Sequence, residues 1–572
     1  MLEEAHFNLC DEPWIPVLTA NGVVEVSLNE FFTNAHTYIR IVGELGTQET
    51  TILRLLLAII HRATGNPVGI AQWKRVSEWG NSFEQILAYL VTHHEKFYLF
   101  HPVHPFYQVP IAAVGDQDQR PRDSHDIWRI IPEVEESKGE RRTILTSRRT
   151  AFGTVTISNA EAARWLVAAQ SYDKSMKSAL TFESQEGLRP YPKATTLARA
   201  SAITIVGRNC RETLLLNMVT GRDLVKTGEN DLPCWERLPQ SGHIESDLNF
   251  TDPQTQADLA AERIGTRQLS GIVDAYTWQS RRLSLIRDTE TDTVRALTRA
   301  TGDIMFRPDS FETETMVAWR VSQKNKKDGK YPWVPFSYSG AGAIWQDFSS
   351  LITVNVQQEA HEVCRPKTVQ WLEQLADHGL IDPEITTMNL SVSTIHWDVK
   401  KSKYEGMTDA LIPLPPTAFS HKGAAVDSGL NIIAAGVASA VSDLRRAAEA
   451  SRKAVLEVYK VAGVDRFDAQ ARATDVERLI YATAEPQFAI LMADFSTTVS
   501  AATSRRELRN AYATHRPAWH KMLHHIVLSK TDTVFQRLYR SAFRSRNGST
   551  LGEREVWFQR EINSILGERK SA

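Results

Sequence analysis

At 572 residues the chain is longer than one hydrophobic core supports, so two to four domains are expected, with ample core to fold without staples. Its 42% hydrophobic and 23% charged residues are ordinary globular values, and a formal charge of −2 gives no global attraction to phosphate; any nucleic-acid surface must be a local patch. Four cysteines, at 10, 210, 234 and 364, form no CxxC pair, which argues against a disulfide framework and against a zinc site built on cysteine pairs.

The start, Met1 to Trp14, lacks a basic segment followed by an apolar run, and Leu55 to Ile60 is too short to cross a bilayer, so a cytoplasmic setting is expected. Residues 7–28 alternate apolar and polar around Asn21-Gly22, the pattern of a β-hairpin. GELGTQETTILRLLLAIIHRATG predicts a helix: Thr47 is placed to cap, Glu49 falls in the first turn, and Ile52, Leu55, Leu56, Ile59 and Ile60 make an apolar face. Arg62 and Gly65 stop it. Trp73 to Phe97 carries a further helical pattern. His101 and His104, three apart among prolines and aromatics and without a third ligand, read as packed side chains rather than a metal pair.

Residues 115–150 are polar and charge-dense, and a loop of that length is more often functional or mobile than idle. Ser158–Glu161 reads as a capping box opening the helix NAEAARWLVAAQSYD, and a second basic loop follows at 173–200. AITIVGRNCRETLLLNMV reads as strand, turn and helix, 272–287 as a strand carrying Arg281 and Arg282, and 303–321 as strand-rich, with Arg307 within it. The loop at 322–333 gathers Lys324, Lys326, Lys327 and Lys330 around Gly329; a solvated turn and a phosphate contact both fit. GAGAIWQDF at 340–348 has Trp345 where a dinucleotide fingerprint needs its third glycine, so it is a linker into a helix.

Residues 389–416 hold two β-forming runs, Val392 to Ile395 and Ala410 to Ile412, joined by a polar tip with Asp398, Lys400, Lys401, Ser402, Lys403 and Gly406. A lysine-tipped hairpin serves either to block edge-to-edge aggregation or as a basic finger pushed into nucleic acid. Beyond about 426 strand signals give way to helical ones at 431–460, 472–495, 504–528, 531–546 and 551–567, which predicts an antiparallel bundle. Across 504–546 ten Lys or Arg stand against Glu507 and Asp532, a net +8 that favours a polyanionic or acidic partner. His520, His524 and His525 lack the glutamate of an HExxH arrangement and read as bundle surface or core. No Walker loop, GxSxG elbow, HExxH or two-metal acidic cluster occurs, which leaves a binding subunit of a nucleoprotein machine against a hydrolase with a dispersed active site.

Seven stretches, taken in order, resemble the CasA family, the large subunit of the type I-E CRISPR Cascade complex. They are FNLCDEPWIPV at 7–17, GELGTQETTILRLLLAIIHRA at 43–63, FYLFHPVHPF at 97–106, AEAARWLVAAQSYD at 160–173, VGRNCRETLLLN at 206–217, YTWQSRRLSL at 276–285 and DALIPLP at 409–415. The resemblance implies an α+β chain with a mixed α/β domain over 1–425 and a four-helix bundle over 426–572. It implies a non-catalytic subunit without cofactor or metal, acting in antiviral defence. Such a subunit recognises the protospacer-adjacent motif (PAM) of duplex DNA, largely from the minor groove, and wedges the first base pairs apart for the guide RNA. The implied partners are target DNA, the 5′ handle of the CRISPR RNA, the other Cascade subunits and the helicase-nuclease. Residue by residue, it implies a wedge at Asp398, Val399, Lys400, Lys401 and Ser402, with Lys400 nearest the family's wedge glutamine. Arg307, Lys324, Lys326, Lys327 and Lys330 would lie along the PAM-proximal duplex. The minor-groove loop falls at 173–179, where Ser175 and Lys177 replace glycine as donors, and the guide-handle loop falls at Leu145, Thr146 and Ser147.

Overall fold

The computed structural model describes residues 5–79, 83–109, 124–132, 155–174, 195, 197–227, 230–237, 269–302, 307–337, 363–385, 388–398, 403–420, 426–427, 430–538 and 550–567. The fold is α+β, and the chain divides into two compact units. One comprises Met1–Ser337, Glu362–Trp371 and Ser391–Ala410; the other comprises Tyr338–His361, Leu372–Leu390 and Leu411–Ala572.

The first unit is built around the helix Gly46–Ala63. Leu53 and Leu57 are buried along with the predicted apolar face, so the helix is enclosed nearly all round. Each fully buried Leu or Ile contributes roughly 1.5–3 kcal/mol. Thr47 does not cap it. The Glu44 and Gly43 amides instead donate to the side chains of Gln48 (3.0 Å) and Glu49 (3.3 Å), because Leu45 occupies the capping position. Beside it runs the helix Asn159–Tyr172, whose Ser158 hydroxyl accepts from the Glu161 amide at 3.1 Å. The Glu161 carboxylate takes the Trp165 indole N–H at 3.2 Å, so the capping box is half made. The strands Ile15–Thr19 and Gly22–Val26 form the hairpin expected at Asn21-Gly22.

Three sequence assignments are corrected in this unit. Residues 272–276 form a short helix, Ile272–Tyr276, because buried Asp231 accepts the Val273 and Asp274 amides at 3.1 and 2.9 Å; the strand begins only at Arg281. Arg307 opens a helix, Arg307–Thr313, rather than lying in a strand. Within the lysine loop, Gln323–Lys327 is a helical turn capped by the Ser322 hydroxyl. The strand Arg281–Asp288 pairs antiparallel with Thr293–Thr301, which also pairs with Ser124–Asp126.

The second unit contains four described bundle helices, Ile432–Val461, Arg466–Ala501, Arg505–Leu538 and Leu551–Leu566. In the first of them Val437, Ala440, Val441, Leu444, Ala447, Ala448, Ser451, Ala454, Val455 and Val458 are buried at spacings of 3 and 4, the seam of a helix packed against several neighbours. Asp443 on that helix receives Tyr512 Oη at 3.3 Å, lies 3.5 Å from Arg516 Nε and 2.8 Å from His520 Nε2, three side chains one turn apart on the third helix. His520 is thus a buried bundle contact, and His524 Nε2 meets Asn563 Oδ1 at 3.2 Å. The third helix runs unbroken through Ser529 and Lys530 to Leu538, where two helices were expected. Buried Val527, Thr531, Val534 and Phe535 keep one apolar stripe in phase across the expected break.

Candidate nucleic-acid interface

A three-stranded sheet organises the candidate site. Ala202–Val206 pairs with Met388–Asp398, which pairs in turn with Lys403–Leu414. A four-residue connection permits only antiparallel pairing, so the last two strands are the expected hairpin. Val399, Lys400, Lys401 and Ser402 at its tip lie outside the described residues, as do Ser175, Lys177, Leu145, Thr146, Ser147, the segment 340–348, and Arg540, Arg544 and Arg546.

The hairpin rises from a rigid base. Val392, Thr394 and Ile395 are buried, and the Thr394 and Ser201 hydroxyls hydrogen-bond inside the sheet. Asp409, on the return strand, sets its carboxylate against Gly46 at the start of the central helix, so close that a Cβ there would collide with it. Burial raises the Asp409 carboxyl above the usual range, and the Gly46 amide pulls it back. A carboxylate at that end also complements the helix dipole. His396 Nε2 lies 2.8 Å from Thr408 Oγ1 on the facing strand. Between Tyr404 and Thr408 the return strand passes through Gly406 at φ +148°, a conformation that strains any residue with a Cβ.

At the far end of the hairpin the structure joins two segments that the sequence leaves separate. The Trp397 indole N–H donates to the Tyr172 carbonyl at 3.2 Å, and Lys174 Nζ stands 5.6 Å from the Trp397 ring centre. Tyr404 meets Trp397 edge-on at 5.8 Å. Tyr172 ends the Asn159–Tyr172 helix, and Lys174 opens the segment carrying Ser175 and Lys177. Asp173 between them binds Arg281 Nε at 2.5 Å and also Arg299, from adjacent strands. Burial would raise the Asp173 carboxyl, but Arg299 and Arg281 together hold it below the usual range. Arg281 also donates to the Lys174 carbonyl at 2.8 Å, and the Thr195 amide donates to the Asp173 carbonyl at 3.3 Å. Sequence reading missed Asp173 and Arg299. Asp173 stands 108 residues from Arg281 and 126 from Arg299 along the chain, beyond the reach of any local pattern.

The second group is also brought together. Phe311, one turn after Arg307, stacks on Trp333 at 4.9 Å and meets Trp319 edge-on at 5.5 Å. Trp319 and Trp333 sit on the strands Trp319–Val321 and Trp333–Pro335, which flank the lysine loop. Lys324, Lys326, Lys327 and Lys330 are all exposed, and Gly329 at φ +66° turns the chain so that the Lys330 amide donates to the Asn325 carbonyl at 2.9 Å. The two groups share one framework. Ala202, in the strand beside the hairpin, bridges to Val317, and the Ile203 amide donates to the Met316 carbonyl at 2.8 Å. Among the described residues no cluster of three or more His, Cys, Asp or Glu is arranged to hold a metal ion; the His101 and His104 rings stack at 5.9 Å.

The model of the CRISPR-associated protein Cse1 family matches residues 8–529. The chain belongs to the Cse1 (CasA) family. A CasA/Cse1 protein of Thermus thermophilus is 30% identical over 382 residues, a match covering 65% of this chain and 65% of that relative. The crystal structure of Thermobifida fusca Cse1 is 26% identical and superposes with a TM-score of 0.76 over 98% of each chain. A chain of a CRISPR RNA-guided surveillance complex shares the fold at a TM-score of 0.60, with 17% identity, over 94% of this chain and 99% of that one. Membership of the Cse1 family agrees with the α+β architecture and the helical C-terminal region. No helix among the described residues is long and apolar enough to cross a membrane.

Proposed function

We propose that this Cse1-family chain is a non-catalytic subunit of a cytoplasmic, RNA-guided CRISPR surveillance complex. It reads a short tag in duplex DNA, the PAM, and drives the 398–402 tip between the first base pairs so that the guide RNA invades. The observation that carries this reading is the shared framework. The strand Ala202–Val206 supports the lysine-tipped hairpin and also connects to the segment leading into the Lys324–Lys330 loop beside the Arg307 helix. The exposed lysines at 324–330 supply local positive charge in a protein with a net charge of −2, which supports a local phosphate-binding patch on this lobe. Guide pairing supplies the long sequence readout, so the protein has only to recognise the tag and offset local unstacking.

Within this reading Ser175 and Lys177 approach the minor groove and Leu145, Thr146 and Ser147 grip the guide's 5′ handle. In the same reading the division at 425/426 parts the DNA-reading domain from a bundle that docks neighbouring subunits and displaced DNA, and the chain as a whole helps recruit the helicase-nuclease. The test is a reconstituted complex carrying Lys400→Ala and Lys401→Ala. Strand opening should slow while assembly stays intact; an R-loop forming at the wild-type rate would show that the tip is not the wedge.

A further inference from the structure

We propose that Trp397 is a positioning residue that couples the hairpin to the loop beginning at Lys174, so that tag recognition and strand opening are one linked event. This rests on the function proposed above, in which the loop touches the tag and the hairpin parts the strands. Trp397 stands one residue before the end of its strand at Asp398, and so next to the tip. Its indole N–H holds the Tyr172 carbonyl at 3.2 Å, and its ring faces the Lys174 ammonium at 5.6 Å. From the return strand Tyr404 braces the same ring at 5.8 Å. Both hairpin strands therefore grip the point from which the loop departs.

That point is itself stiff. Arg281 and Arg299 clamp the Asp173 side chain, Arg281 holds the Lys174 carbonyl, and the Thr195 amide closes the return of the loop onto Asp173. A loop root fixed this firmly cannot absorb a displacement by local slack, so a shift there is passed to its packed neighbour, Trp397. Coupling of this kind is reciprocal: whatever the tag contributes to seating the hairpin, the seated hairpin returns to tag affinity.

The experiment compares strand-opening rates of the assembled complex on duplexes with the preferred tag and with a scrambled tag, read by 2-aminopurine fluorescence beside the tag. Trp397→Phe keeps an aromatic ring and removes the N–H donor; Trp397→Ala removes both. Each variant should lower the rate on the preferred tag several-fold and leave the rate on the scrambled tag unchanged, so the ratio between tags falls. Lys174→Ala should lower the ratio less, and adding it to Trp397→Ala should have no further effect. An unchanged ratio in Trp397→Ala would overturn the proposal. So would an equal fall on both tags with a lowered melting temperature, the signature of a purely structural role; Trp397→Phe keeps the question answerable where Trp397→Ala fails to fold. The Lys400/Lys401 variant is run alongside. If it opens DNA normally, the wedge reading fails; if it stalls while the Trp397 variants keep full tag discrimination, only the coupling fails.

Discussion

Arg54 and Glu314, 260 residues apart in sequence, meet at 2.8 Å where neither side chain is more than 4% exposed. The guanidinium also lies 4.6 Å from the centre of the Tyr276 ring and donates to the Ala275 carbonyl at 3.3 Å. Glu314 directly follows the Arg307–Thr313 helix, so this pair ties the candidate tag-reading helix to the central helix of the unit.

Glu314→Gln should therefore destabilise the first unit by roughly 3–5 kcal/mol, since it leaves a buried guanidinium without its counter-charge. Replacing both partners with apolar residues, Arg54→Met with Glu314→Leu, should recover most of the loss. Burial opposes ionisation of Glu314, but Arg54 outweighs it and holds the carboxyl below its ordinary 4.5. Its contribution is thus present above that value and disappears as pH falls through the folded-state value. Urea unfolding of the three proteins at neutral pH measures the effect, and a Glu314→Gln midpoint equal to wild type would refute it.

His61 sets a second pH dependence. Its ring is fully buried, 6.4 Å from Tyr276, and burial lowers its pKa from 6.5 to about 4. The folded state then binds fewer protons than the unfolded one, so stability is retained above about 6.5 and lost as pH falls towards 4. The loss due to His61 alone is about 2 kcal/mol at pH 5. Asp231, raised to about 6 by burial, works in the opposite direction over an overlapping range. The informative quantity is consequently the difference between wild type and His61→Leu in the stability change from pH 7 to 5, read by urea unfolding: over that interval the variant should come out about 2 kcal/mol better than the wild type, and an equal change in both would refute the assignment.

Much of the fold is written in local pattern. The helix Gly46–Ala63 follows from a 3.6-residue apolar stripe, the first hairpin from Asn21-Gly22, and Ala202–Val206 followed by Cys210–Asn217 from a β-branched run and an Asn209 cap. The Arg307 helix escapes such a reading because its seven residues are too few for periodicity; the usable signal is Pro308 at its second position, where a missing N–H costs nothing. The candidate site is legible as composition, lysines and an arginine in loops, but its assembly is not. Phe311 on Trp333, Asp173 between two arginines, and Trp397 on Tyr172 are contacts between distant segments, and no spacing rule reaches them.

The exposed Lys324, Lys326, Lys327 and Lys330 should act on DNA through counterion release. Changing all four to alanine should reduce the slope of log K against log salt for duplex binding by roughly 3 to 4, about 0.9 for each phosphate that is no longer neutralised. Folding should be unaffected, because Ser322, Asn325 and Gly329 shape the turn without lysine side chains. Titration of the assembled complex with duplex at several salt concentrations checks this; an unchanged slope would assign the loop to bulk solvent.

Arg307 is the residue on which tag reading is most open to a decisive measurement. It is the first residue of its helix, and the helix is fixed from its other end, by Phe311 against Trp319 and Trp333 and by Glu314 against Arg54. A melting temperature of Arg307→Ala equal to wild type is measured first, so that its effect on binding is read as DNA contact and not as a folding defect. A guanidinium hydrogen-bonded to a base edge would give a loss of roughly 1–3 kcal/mol on the preferred tag and little on others, narrowing discrimination. A guanidinium on phosphate would weaken every duplex alike and lower the salt slope by about 1. Arg307→Lys separates the two further: lysine keeps the charge and loses the planar fork, so it restores a phosphate contact and fails to restore a bidentate base contact. The expected result is tag-selective loss in Arg307→Ala, unrescued by lysine, measured by binding of the assembled complex to a library of duplexes randomised at the tag.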